Sequence, residues 1–427
     1  MTDSGQAAGL QTSVLPGGLV VITEKLAHIR SVALGLAFRT GGRDDPAEHA
    51  GMAHMIEHMV FKGTKDKDAV AINIAAESHG AELNAFTDKE TTCFYGRFPG
   101  DEAKPVTALL NEIISGPEFR ADELEKEKQV VGEEIRTSDE DPDSTAVNLL
   151  FEAAYGTHPM GRQIAGTLES VAGLTDGALR DFYRAHYGPS CGVAVAVGDV
   201  DHQATLDELA PLLTHHDSCA PVARIVPQVA ASGLRVETRK DLSQVYVAMA
   251  RPSFHYDDPR RYALSVLNTA LGGGVSSRLF QRLREREALV YSVASFTELY
   301  ADSGLIGVYF VTDRRKLGRC LDVMREELAL VRERGFTPEE FERARNMTKS
   351  SVLLALESPT SRMMRLARTY QLLGRIVMVD ETVDGLARLT RDDVGRLIDE
   401  LLDGEFRLAG AVGPLTESEL AGLLETH

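Results

Sequence analysis

A chain of 427 residues is long enough for two or three domains. With 43% hydrophobic and 26% charged residues it has the balance of a soluble chain with ample material for a core. Its 46 Lys+Arg against 64 Asp+Glu leave a net charge of −18, which argues against a nucleic-acid binder and against a basic module lying on a membrane.

Four scattered cysteines (Cys93, Cys191, Cys219, Cys320) contain no CxxC pair, so the pattern is neither a disulfide scaffold nor a thiolate zinc site. No apolar run approaches the ~20 residues a bilayer span needs. The N-terminal stretch lacks the charged and apolar regions of a secretion signal. A cytoplasmic location is the expectation.

The first strand signals are Leu19–Ile22, after the turn Pro16-Gly17-Gly18, and Ser31–Phe38. Beyond Asp44-Asp45-Pro46 the period changes, and Met52, Ile56, Met59 and Val60 fall on one helical stripe. A second helical run, Asp68–Ser78, precedes strands within Ala81–Phe98. Helices dominate from Val106 to about Tyr187, and Cys191–Val200 reads as a buried strand. The weakest organisation lies between His215 and Ser232, the best linker candidate. After it the order repeats: a strand at Val245–Ala250, Asp257-Asp258-Pro259, a helix, the Gly-rich Leu271–Ser277, another helix and strands. The two Asp-Asp-Pro tripeptides start at 44 and 257, half the chain apart. With the same element order on each side, this favours duplicated halves over two unrelated domains: residues 1–218, a linker at 219–232, and 233–427.

The sharpest local signal is His54-Met55-Ile56-Glu57-His58 on the first helix. Residues 54 and 58 are one turn apart and project from one face, so two imidazoles can grip one metal ion. Glu57 stands beside them, free to take a proton from water; this is the inverted H-E-x-x-H arrangement. His49 lies on another face. A catalytic zinc needs a third protein ligand from another element, and the helical stretch Asp122–Arg136 offers glutamates. Leu124, Val131 and Ile135 form its buried stripe, and Glu127 and Glu134, seven apart, lie close to that stripe. Composition does not choose between Glu133 and Glu134. Gly132, in mid-helix, costs about 1 kcal/mol of helix propensity.

HMIEHMVFKGT, EKEKQVVGEEI and SSRLFQRLRE…LVY together resemble the M16 metallopeptidases (pitrilysin, insulysin and mitochondrial processing peptidase), and the length resembles the short bacterial M16B subfamily. The resemblance implies an α+β fold of two duplicated αβ domains, each a mostly antiparallel sheet packed by helices. It implies one Zn2+ per chain, with His54 and His58 as ligands and Glu57 as general base. Its third ligand, 76 residues beyond the second histidine, falls on Glu134, and a supporting glutamate needed for activity falls on Glu127. It implies substrate binding by Arg284 and Tyr291, and by the edge strand at Asn84 and Ala85, where an extended peptide pairs with the main chain. Gly272–Gly274 resembles a Gly-rich segment used around substrate, with a tight turn as the equal alternative; His158-Pro159 reads as structural. The expectation is a zinc endopeptidase acting on oligopeptides or unfolded segments in a homodimeric chamber, without nucleic-acid or membrane partners. A non-catalytic partner subunit and a dedicated presequence-processing peptidase are the alternatives.

Overall fold

The computed structural model describes residues 9–210, 219, 223–404 and 406–425. Of the weakly organised stretch His215–Ser232, residues 215–218 and, within the expected linker, 220–222 lie outside the described residues, as do the first eight of the chain. The chain forms two compact units, and neither is one run of sequence. The first comprises Met1–Ile135, Gln163–Arg224 and Ala355–Ile376; the second comprises Arg136–Arg162, Ile225–Leu354 and Val377–His427.

The first unit is built on a six-stranded sheet: β1 (Leu10–Val14), β2 (Val20–Lys25), β3 (Ser31–Phe38), β4 (Glu82–Thr87), β5 (Thr92–Pro99) and β6 (Gly192–Gly198), in the order β1-β2-β6-β3-β5-β4. The second has β7 (Gly233–Thr238), β8 (Gln244–Ser253), β9 (Val290–Leu299), β10 (Gly304–Asp313) and β11 (Leu408–Gly413), in the order β7-β11-β8-β10-β9. Strip β1 from the first sheet and the two orders match position for position. Each has one parallel pair at the same place, β2–β6 and β7–β11, and antiparallel pairs elsewhere. Both are mixed α/β units of the duplicated kind that the sequence implies.

Periodicity explains why β3 is central. Val32, Leu34, Leu36 and Phe38 enter the core cluster that also holds Met52, Met55, Ile56, Met59 and Val60. Those five come from α1 (Met52–Val60), and all are buried. Burying one such side chain contributes about 1.5–3 kcal/mol. The alternate residues of β3 face the other way, where the helix Pro359–Leu373 packs on β3 and β6. The core also takes in α2 (Ala69–Ser78), α3 (Ala103–Ser115) and the apolar stripe of α4 (Ala121–Glu140), where Leu124, Val131 and Ile135 are buried and Gly132 with them.

In the second unit the matching helix comes from the first half of the chain. Asp141 accepts hydrogen bonds from the backbone of Asp143 and Ser144, and Pro142 opens α5 (Pro142–Tyr155), which packs on β11, β8 and β7. The approach is close: a Cβ on Gly410 of β11 would lie 2.2 Å from the Ala146 carbonyl oxygen, so a glycine is required there.

Cys191 and Cys219, unpaired by any sequence motif, form a disulfide in the first unit with Cα atoms 6.2 Å apart. Cys93 and Cys320 are buried thiols. No helix among the described residues is long and apolar enough to cross a membrane.

Candidate metal centre

The centre lies in the first unit, on α1 and α4. Fixing α1 by its buried apolar face leaves His54 and His58 side by side, with ring centroids 4.8 Å apart. Both Nε2 atoms approach one oxygen of Glu134, that of His54 at 3.7 Å and that of His58 at 3.4 Å. One donor atom from each of the three residues lies within 4.8 Å of the others, and this is the one such group among the described residues. Glu133, the neighbour that composition could not set aside, is outside it, as is His49. Two imidazoles and a half-exposed carboxylate fit a catalytic zinc site, which takes three protein ligands and keeps an open position.

Glu127 has a different place. It is on the same helix, but its side chain is only 5% exposed, and it accepts a hydrogen bond from His58 Nδ1 at 3.1 Å. Its other oxygen, Oε1, meets Lys62 Nζ at 2.6 Å. This carboxylate–imidazole contact fixes the orientation of the His58 ring from behind. Lys62 was not singled out in the sequence, although it stands four residues after His58 and continues the spacing of the two histidines.

The electrostatics separate the four groups. Burial, and then the charge of His58, lower the pKa of His54 to about 4. Burial would lower His58 too, but the Glu127 hydrogen bond and the charges of Glu134, Glu127 and Glu57 outweigh it and raise its pKa above the ordinary 6.5. Burial raises the Glu57 carboxyl, against a hydrogen bond from Thr87 and the charge of His58. Burial would raise Glu127 as well, yet its bonds to His58 and Lys62 hold it low. Glu57 Oε2 and His54 Nδ1 are buried without a hydrogen-bond partner among the described residues. Thr87, at the end of β4, is a second contact the sequence did not single out for this role.

Asn84 and Ala85 lie on β4, which among the described residues pairs only with β5 and so forms one edge of the sheet. Asn84 is exposed, and its Oδ1 accepts the Ala85 N–H at 2.8 Å. Arg284 and Tyr291 belong to the second unit. Arg284 is on the π-helical segment Phe280–Arg286, its guanidinium 4.9 Å above the Phe280 ring. Tyr291 is on the edge strand β9 and is 61% exposed.

Residues 20–168 match the family described as insulinase (peptidase family M16), and residues 173–348 match the peptidase M16 inactive domain. An uncharacterized zinc protease of Streptomyces coelicolor is 33% identical over 421 residues, covering 97% of this chain and 92% of that protein. An uncharacterized zinc protease of Bacillus subtilis is 32% identical over 392 residues, covering 92% and 95%. Among solved structures, a peptidase M16 inactive domain from Pseudomonas fluorescens superposes with a TM-score of 0.88 at 22% identity, covering 95% of this chain and 98% of that one. A Helicobacter pylori protease gives 0.86 at 20% identity, covering 94% and 98%; these two likenesses concern the fold alone. The chain belongs to peptidase family M16.

Proposed function

We propose that the protein is a zinc-dependent endopeptidase whose centre is His54, His58 and Glu134, with Glu57 as general base. The observation that carries this is the convergence of those three donors beside Glu57, whose buried Oε2 has no hydrogen-bond partner among the described residues. Zinc held by this set supplies Lewis acidity for amide hydrolysis. Glu57 takes the proton of the attacking water and passes it to the departing amine, a task suited to a carboxyl raised by burial. Thr87 holds that carboxylate by one hydrogen bond.

The free edge of β4 suits an extended peptide, whose main chain would pair with the strand after displacing the Asn84 side chain from the Ala85 N–H. This selects oligopeptides and unfolded segments. Arg284 and Tyr291 are donors for substrate carbonyl or carboxylate groups, and the working assembly is a homodimer enclosing the peptide. The word inactive in the second family description fits the second half by itself: after residue 218 the histidines are His255 and His427, with no second HxxEH. The catalytic motif is complete in the half that matches the insulinase description.

The test is Glu57→Gln. Purified Glu57→Gln protein should bind zinc as the native protein does, yet lose chelator-sensitive cleavage of a mixed peptide library. Retained turnover in that variant refutes the mechanism.

A further inference from the structure

We propose that Lys62 is a positioning residue of the metal centre: by holding Glu127 through one oxygen, it leaves the other to aim His58 at the metal. The inference rests on the zinc reading above and concerns how the two glutamates of one helix acquire different roles.

Glu127 and Glu134 are two turns apart on α4, chemically identical and on the same side of the helix. Glu134 is 47% exposed and faces both imidazoles. Glu127 is nearly sealed, and a carboxylate withdrawn from water needs compensating partners at both oxygens. Lys62 Nζ takes Oε1 at 2.6 Å, and His58 Nδ1 donates to Oε2 at 3.1 Å. With Oε1 engaged, the carboxylate plane is set and a single oxygen remains for the histidine. A donated Nδ1–H fixes the tautomer and leaves the lone pair on Nε2, the atom 3.4 Å from Glu134 Oε2. The chain Lys62–Glu127–His58 thus ends at the ligand atom, while Glu134 is left to ligate.

The Lys62 stem leaves the end of α1 just after His58, so cation and imidazole issue from adjacent turns of one segment. An exposed ion pair would add little and orient nothing. This one has a nearly buried carboxylate end, where removing the cation leaves Glu127 with one partner and freedom to turn.

The experiment is a zinc titration of the full chain against a chromophoric chelator, with native protein, Lys62→Met, Glu127→Gln and the double variant. Lys62→Met should weaken zinc binding by about 10- to 100-fold, the range for loss of a group that orients a ligand. In the Glu127→Gln background the same substitution should change affinity by no more than about twofold, since Lys62 acts through Glu127. Unchanged or tighter binding by Lys62→Met overturns the proposal. So does an equal loss in both backgrounds. If Lys62→Met does not fold, Lys62→Gln is read by the same criteria. Failure of the native protein to bind zinc, or Glu134→Gln binding as tightly as native, would instead refute the zinc reading itself.

Discussion

Asp45 accepts the backbone N–H of Ala53 at 2.9 Å through one carboxylate oxygen, while the other takes the N–H of Gly51 at 2.8 Å. Gly51 precedes α1, the helix that carries His54 and His58, and has no side chain with which to cap it. A buried aspartate six residues upstream does so instead, with its charge favourable at a helix N-terminus. Asp45→Ala orphans two N–H groups and should destabilise the metal-free protein by about 2–4 kcal/mol, given the worth of hydrogen bonds to a charged acceptor. Asp45→Asn, with one acceptor oxygen, should lose about half of that. Urea unfolding followed by circular dichroism measures both, and a loss in Asp45→Ala below about 0.5 kcal/mol would show that the cap is unimportant.

On the proposed zinc reading, His54 and His58 should also differ in how they couple metal binding to pH. Only neutral imidazole ligates. His58 has a raised pKa, so it is protonated below that value, must release its proton to zinc, and loses affinity as pH falls. His54, lowered to about 4, is already neutral at pH 5.5 and releases none. Zinc binding at pH 5.5 should therefore free about one imidazole proton, not two, and the number should fall as pH rises past the His58 value. Calorimetry in two buffers of different ionisation enthalpy counts those protons. Two released at pH 5.5 would contradict the burial argument for His54.

Much of this was open to reading in the sequence. The stripe Met52, Ile56, Met59, Val60 predicted α1, and all four are buried. The stripe of Leu124, Val131 and Ile135 is buried, and Glu127 with it, whereas Glu134, seven residues on, is half-exposed. Even the repeated Asp-Asp-Pro has a physical basis, because Asp258 accepts the Arg260 N–H at 2.8 Å just before the helix Arg261–Gly272, as Asp45 serves α1. What sequence did not show is where amphipathic helices go. The apolar faces of α5 and of Pro359–Leu373 suit either sheet, and only tertiary packing assigns α5 to β11 and the later helix to β3 and β6. Lys62 was missed for a related reason: a lysine after a helix is ordinarily a solvated charge, and nothing local says that a glutamate 65 positions later is buried against it.

Gly272 illustrates a motif whose role the structure narrows. A Cβ there would lie 2.4 Å from the backbone nitrogen of Ser295 on β9, a group that cannot move aside cheaply. At Gly274 the nearest atom is the terminal methyl of Met347, at 2.9 Å. Gly272→Ala should destabilise by about 1–3 kcal/mol or more, and Gly274→Ala by less than about 1 kcal/mol, because a flexible methionine can give way. Chemical unfolding should rank the two. A Gly272→Ala protein as stable as native would mean the close approach is not tight.

The last prediction concerns Glu133 and Glu134, adjacent in sequence and equal in composition. Neighbours on a helix point about 100° apart, so a single metal can engage only one. Glu134 Oε2 is within 3.7 Å of both histidine Nε2 atoms, and Glu133 is not among the converging donors. Glu134→Gln removes the one anionic donor of the set while keeping its size, and should weaken zinc binding by more than about 100-fold, because structural and catalytic zinc sites draw most of their affinity from their direct ligands. Glu133→Gln should leave affinity within about twofold of native, as expected for a group that is not a ligand. Competition titration on the two purified variants decides the matter, with a folded circular dichroism spectrum required of each. Comparable losses in both would mean that the carboxylate field of α4, rather than a defined third ligand, holds the metal.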